Sequence, residues 1–134
     1  MKALVFDASA LLALLFDEPG AAAVESLMQR AAEKEQAMLM GAVNWAETCY
    51  RIEAKRGADA LGRAEEFASN APITIVPADR ELAEAAAAYR AAGLLALADA
   101  FAAALAKQRH ANLVTADREF RAVEKEVTVV WLQS

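Results

Sequence analysis

Residues 2–16, KALVFDASALLALLF, decide the fold. KALVF is a short apolar run closed by the Asp7 carboxylate, as expected of a buried strand, and ASALLALLF behind it suits a short helix. A strand feeding straight into a helix, with an acid at the joint, is how an α/β unit begins. Asp17, Glu18, Pro19 and Gly20 break this helix. Pro19 then stands near the start of a second helix over residues 21–36, in which Val24, Leu27, Met28 and Ala31 form an apolar stripe. AMLMGA, residues 37–42, reads as a second strand. Asn44 is placed to cap a helix over residues 45–56, whose Cys49 and Ile52 share a face and which stops at Gly57. A further helix is expected over residues 59–69. Ile73 to Val76 form a third strand between Pro72 and Pro77. Asp79 caps the alanine-rich helix that follows, which ends at Gly93. A helix over residues 97–109 leads to a fourth strand at residues 113–115, then Asp117 and a short helix. VTVVWL, residues 127–132, is a β-branched fifth strand.

Strands separated by helices, with continuous apolar runs instead of strict alternation, predict a mainly parallel sheet of about five strands between two helical layers. The expected fold is a three-layer α/β/α sandwich. With 134 residues, two separate cores would each be marginal, so residues 1–134 are expected to form a single domain. Hydrophobic residues make up 57% of the chain, but 36 of them are alanines that bury little area each. Charged residues at 25% exclude disordered and fibrous classes. A single cysteine, Cys49, rules out an intrachain disulfide and a multi-thiolate zinc site, and a cytoplasmic location is the expectation. Asp7 interrupts the first apolar stretch, so neither a signal peptide nor a membrane span is expected. A formal net charge of -5 argues against a broad basic nucleic-acid surface, while leaving room for a local basic rim.

In such sheets ligands bind beyond the carboxyl ends of the strands. Four acids fall at or near those turns: Asp7, Glu47, Asp99 and Asp117. Each also has a purely structural reading. Asp7 and Asp117 can be helix caps, Glu47 completes a capping-box pattern with Asn44, and Asp99 favours a helix dipole. Spacing alone leaves both readings open.

The neighbouring residues go further. Asp7-Ala8-Ser9, Asn44-Trp45-Ala46-Glu47, Ala96-Leu97-Ala98-Asp99-Ala100-Phe101 and Thr115-Ala116-Asp117-Arg118-Glu119-Phe120, in this order, resemble the PIN-domain ribonucleases. The closer similarity is to the VapC-like toxins of type II toxin–antitoxin pairs. It spans essentially the whole chain, and GLLALADAFAAALAKQRHANLVTADREF carries its most specific part. The resemblance implies a metal-dependent endoribonuclease with a PIN-like fold, in which Asp7, Glu47, Asp99 and Asp117 form the acidic metal-binding cluster and Ser9 and Thr115 are the polar residues flanking it. Thr115-Ala116-Asp117 carries alanine where many relatives look glycine-like. Oxygen-only ligands suit Mg²⁺ or Mn²⁺. Asp7 and Asp99 are expected to hold the main ion, with Glu47 and Asp117 completing its shell or recruiting a second. Glu119 is expected to face solvent instead of the cluster, and His110 to favour the C-terminal end of its helix over catalysis.

Lys107, Arg109, Arg118 and Arg121 are candidates for an RNA-facing rim, against a reading as ordinary solvated surface. Trp45, Tyr50 and Trp131 are expected to pack in the core or an interface more than to stack on bases. Leu11, Leu12, Leu14, Leu15 and Phe16 are more apolar than one short helix needs to bury alone, which points to a covering partner. By resemblance that partner is a small antitoxin, and homodimerisation is implied too. Two other readings compete: a catalytically idle PIN-like module that binds partners, and a DNA-directed nuclease. A haloacid-dehalogenase-like phosphatase is disfavoured, because Ser9 stands where its second aspartate is wanted.

Overall fold

The structure, a computed structural model, describes residues 1–133. Ser134, the last residue of the expected single domain, lies outside the described residues. The chain runs β1 (Leu4–Phe6), α1 (Ala8–Leu15), α2 (Ala21–Glu33), β2 (Met38–Gly41), α3 (Ala42–Arg56), α4 (Ala58–Asn70), β3 (Ile73–Val76), α5 (Arg80–Ala91), α6 (Leu97–Gln108), β4 (Asn112–Thr115), a short 3-10 helix (Arg118–Val123) and β5 (Val129–Trp131). The five strands form one sheet in the order β3-β2-β1-β4-β5, and every pairing is parallel. The expected α/β/α sandwich is therefore present, with a wholly parallel sheet.

Side chains alternate across that sheet because a strand repeats every two residues. Val5, Leu39 and Leu113 face the layer built from α5 and α6, together with Phe120 and Val123. Leu4, Phe6, Met38, Met40 and Val114 face α1 and α2, through Leu11 and Val24. A smaller cluster of Ala8, Leu12, Ile52 and Ala64 joins α1 to α3 and α4. Helix α6 is apolar nearly all round, and Ala100, Ala102, Ala103, Ala104 and Ala106 are all buried in it. A helix of that kind belongs inside the protein. Its small side chains let it sit against both the sheet and α5.

The apolar excess expected on α1 is mostly absorbed by this packing. Leu11 and Leu12 are buried in two different clusters, and Leu14, Leu15 and Phe16 are half-buried against them. The structure also corrects the start of α3. Strand β2 runs into the helix with no intervening loop, Gly41 is the capping residue, and it makes no side-chain cap bond. Asn44 lies inside the helix, so the capping box expected of Asn44 and Glu47 does not form.

Chain direction reverses its march across the sheet between β1 and β4, since β2 and β3 are laid on one side and β4 and β5 on the other. The crevice beyond the carboxyl ends of β1 and β4 is where a parallel sheet of this kind opens to ligands.

Asp79 shows what an acid at a strand-to-helix turn does when it is only a cap. It is solvent-exposed and its Oδ1 accepts from the Leu82 backbone N–H at 2.8 Å. Asp79→Ala is expected to lower stability by about 1 kcal/mol, read by chemical denaturation, with no effect on any activity of the crevice.

Candidate active site

Asp7 closes β1 and caps α1. Its carboxylate is 2% exposed. Oδ1 accepts from the Ser9 hydroxyl at 2.7 Å and from the Ala10 N–H at 2.9 Å, and Oδ2 accepts from the Thr115 hydroxyl at 2.5 Å. A carboxylate offers about four acceptor positions, so one remains for a further partner. The cap and the site are the same side chain here: the structural reading of Asp7 holds and does not use it up.

Thr115 and Ser9 tie the two strand ends together. Their hydroxyl oxygens lie 3.2 Å apart, the Ala116 N–H donates to Ser9 Oγ at 2.9 Å, and the Asp117 N–H donates to Thr115 Oγ1 at 2.9 Å. The turn after β4 is thus folded onto the turn after β1. Asp117 in turn accepts from the Glu119 N–H at 2.9 Å, capping the 3-10 helix.

Asp99 arrives from a third element. It sits in the first turn of α6, whose N-terminus has no side-chain cap. One carboxylate oxygen from each of Asp99, Asp117 and Glu119 lies within 4.8 Å of the others. Glu119 is solvent-exposed, as its sequence context suggests, yet it joins this cluster. An exposed acid on a six-residue 3-10 helix carries no periodic signal that would have shown it.

Glu47 stands one turn into α3, partly exposed, with its Oε2 at 3.6 Å from the Arg51 guanidinium. Its charge reaches Asp99.

The crowding has an electrostatic signature. Burial raises the Asp7 carboxyl to about 6, against the lowering effect of its three hydrogen bonds and with a further push from the charge of Asp117. Burial also raises Asp99, to about 7, and the charges of Asp117, Asp7 and Glu47 and a hydrogen bond with Asp117 raise it further. Neutral acids are favoured when carboxylates share a site without a counter-charge. An all-oxygen set of this kind fits a hard divalent cation, which would supply that counter-charge.

Asn44 is the residue that sequence reasoning misplaced. It is fully buried, and its Nδ2 donates to the Ala98 carbonyl at 3.0 Å. The bond ties α3, which carries Glu47, to the first turn of α6, one residue before Asp99. Gly41 makes room for it: a Cβ there would come within 3.2 Å of Asn44 Oδ1.

The rim candidates separate. Lys107 lies eight residues beyond Asp99 on α6, about 12 Å along the axis, and shares a cavity with Lys2, His110 and Thr128 at the opposite end of the strands. It pairs there with Glu126 at 2.8 Å. Arg109, just past the end of α6, lies at the same end, so neither lines the crevice. His110, also at that end, is exposed with a positive φ of 51°. Arg118 and Arg121 are on the 3-10 helix after Asp117, on the site's side. Arg118 is committed to β5, donating to the Leu132 carbonyl at 3.0 Å and resting over the Trp131 ring. Trp45 and Trp131 are half-buried against the core, as expected, whereas Tyr50 is 63% exposed.

The PIN domain family model matches residues 4–126. No protein of curated function matches the sequence. Among solved structures, VapBC2 from Rickettsia felis, bound to a DNA fragment from its promoter, superposes with a TM-score of 0.77 at 15% identity, covering 98% of this chain and 99% of that one. DNA-bound VapBC from Salmonella typhimurium gives 0.74 at 19% identity, covering 97% and 98%. Mycobacterium tuberculosis VapC20, a toxin that cleaves the sarcin–ricin loop, gives 0.73 at 16% identity, covering 90% and 94%. At these identities the likeness is one of fold.

The raised carboxyls set a pH dependence. A carboxyl near 6 or 7 in the folded chain and near 4 when unfolded binds its proton more tightly when folded, so this contribution is fully present below about pH 4 and is lost as pH rises through 6 to 7. The melting temperature of metal-free protein is expected to fall between about pH 5 and pH 8. Added Mg²⁺ should raise it more at the higher pH. A thermal scan at both pH values, with and without the ion, checks this.

Proposed function

The chain belongs to the PIN-domain family, and we propose that within it this protein is a metal-dependent endoribonuclease, the toxin component of a toxin–antitoxin pair. The observation that carries the reading is the convergence of Asp7, Asp99 and Asp117 from three separate elements on the crevice between β1 and β4, with two of the carboxyls raised to about 6 and 7. Carboxylates gathered at that cost in burial, with repulsion added to it, need a role that offsets it. Capping does not, since Asp79 caps α5 without any crowding.

Asp7, Glu47, Asp99 and Asp117 are the proposed catalytic and metal-holding residues, and Glu119 is proposed with them because its carboxylate lies within 4.8 Å of those of Asp99 and Asp117. Mg²⁺ or Mn²⁺ is the proposed ion. Such a cation, when bound, supplies activation of the attacking water and stabilisation of charge on the phosphoryl oxygens. The chain's own part is to hold the oxygens in place. Ser9 and Thr115 fix the Asp7 carboxylate by hydrogen bonds, and Asn44 fixes the first turn of α6 that presents Asp99. With no imidazole in the crevice, proton transfer falls to the carboxylates or to water.

Residues 1–134 are taken as one functional domain. The VapBC and VapC20 neighbours support a small antitoxin as partner and RNA as substrate, and the resemblance supports a homodimer. Among the described residues no helix is long and apolar enough to cross a membrane, and a cytoplasmic location fits the proposed role.

Purified protein should cleave RNA in a panel of structured and single-stranded targets with Mg²⁺ or Mn²⁺, and EDTA should abolish cleavage. Asp99→Asn should reduce cleavage at least about 100-fold while raising the melting temperature of the metal-free protein, because one charge leaves the cluster. Equal cleavage by wild type and variant would overturn the assignment. Cleavage of DNA in place of RNA would favour the DNA-directed reading, and metal binding without cleavage of either would favour the idle module.

A further inference from the structure

Two cavities adjoin on the face formed by α1, α3 and α4. One, of about 380 Å³, is lined by Ser9, Phe16, Glu18, Tyr50, Arg51 and Lys55, among others. The next, of about 210 Å³, shares Phe16 and adds Arg56 and Arg63. The first begins at the site itself, since Ser9 is bonded to Asp7.

The charge along this groove runs against that of the molecule. The chain as a whole carries a formal net charge of -5. Yet the residues lining the groove include Arg51, Lys55, Arg56 and Arg63 with Glu18 as the acid among them, Arg51 also standing 3.6 Å from Glu47. On α3, Glu47, Arg51 and Lys55 recur every four residues and so share one helix face. The two cations stand about 6 and 12 Å along the axis from Glu47. Lys55 and Arg56 are held over the Phe16 ring, at 4.8 and 4.7 Å from its centroid. Beside them Tyr50 presents an aromatic ring to solvent, 63% exposed, where core packing does not account for it.

Building on the nuclease reading, we propose that this groove is the track for single-stranded RNA leading to the acidic site, with Arg51, Lys55, Arg56 and Arg63 on successive phosphates and Tyr50 stacking on a base next to the bond to be cut. Cations carry a polyanion without regard to sequence, and an aromatic face accepts any base. The track supplies the attraction that the acidic crevice cannot. The rim is therefore on α3 and α4, and not at the far end of α6 where Lys107 and Arg109 lie. A protein partner carrying acidic residues is the rival occupant of the same cations.

The test measures binding of a fluorescently labelled single-stranded RNA to the full chain with Mg²⁺ present, on the Asp99→Asn background that stops cleavage, across a salt series. Lys55→Gln with Arg63→Gln is expected to lower the slope of log affinity against log salt by about 1.4, from two lost phosphate contacts. Removal of two cations at the C-terminal end of α2, by Arg30→Gln with Lys34→Gln just past it, should leave the slope unchanged. Tyr50→Ala is expected to weaken binding about ten-fold and Tyr50→Phe to preserve it. If the double variant and Tyr50→Ala bind as tightly, and with the same slope, as their parent, while the wild-type chain cleaves RNA, the track is wrong, the nuclease reading stands and the groove is left to a protein partner. If wild type neither binds nor cleaves RNA, the nuclease reading fails and the track with it.

Discussion

Asp99, Asp117 and Glu119 bring carboxylate oxygens within 4.8 Å of one another, with the buried Asp7 close enough to feel the charge of Asp117 and to act on Asp99, and much of the fold can be understood as what holds these acids there. Parallel pairing of β1 and β4 brings two strand ends side by side. Ser9 and Thr115 then bind the two turns into one unit around the Asp7 carboxylate. These hydroxyls work against the repulsion, since each bond to the ionised acid favours the charged form, but burial outweighs them and the carboxyl stays raised. The site is thus a loaded arrangement, held by hydrogen bonds and helix packing, and a divalent cation would neutralise it.

Much of this was legible from residue order. The strand between Pro72 and Pro77, the helix ended by Gly93 and the cap at Asp79 all lie where punctuation by proline, glycine or aspartate is strong, and such residues act locally. The acidic quartet was legible only through its neighbours, because a carboxylate at a helix start looks the same whether it caps or catalyses. Asp7 caps α1, and the proposed function gives the same carboxylate a second role.

What stayed hidden has a common cause. Asn44 looked like a cap because a loop was assumed between strand and helix, and the chain has none at that point. Its actual partner, the Ala98 carbonyl, is distant in sequence and belongs to a helix packed alongside. Lys107 and Arg109 were basic candidates for a rim, and they follow Asp99 closely in sequence. A helix turns that proximity into length, and they end at the other end of the strands. Glu119 and Tyr50 were read as ordinary for the opposite reason: nothing in a single exposed residue tells which surface it will share.

The buried alanines of α6 bear on how the site tolerates change. A helix lined by methyl groups has little slack, because interiors are close-packed. Added bulk at Ala103 or Ala106, a turn or more from Asp99, would push the whole rod instead of being absorbed locally. The position of one carboxylate is therefore registered over the length of a helix, and the geometry of the crevice is sensitive to side chains that never approach it. The small residues of this helix serve a requirement for standoff distance, independent of any chemistry those positions perform.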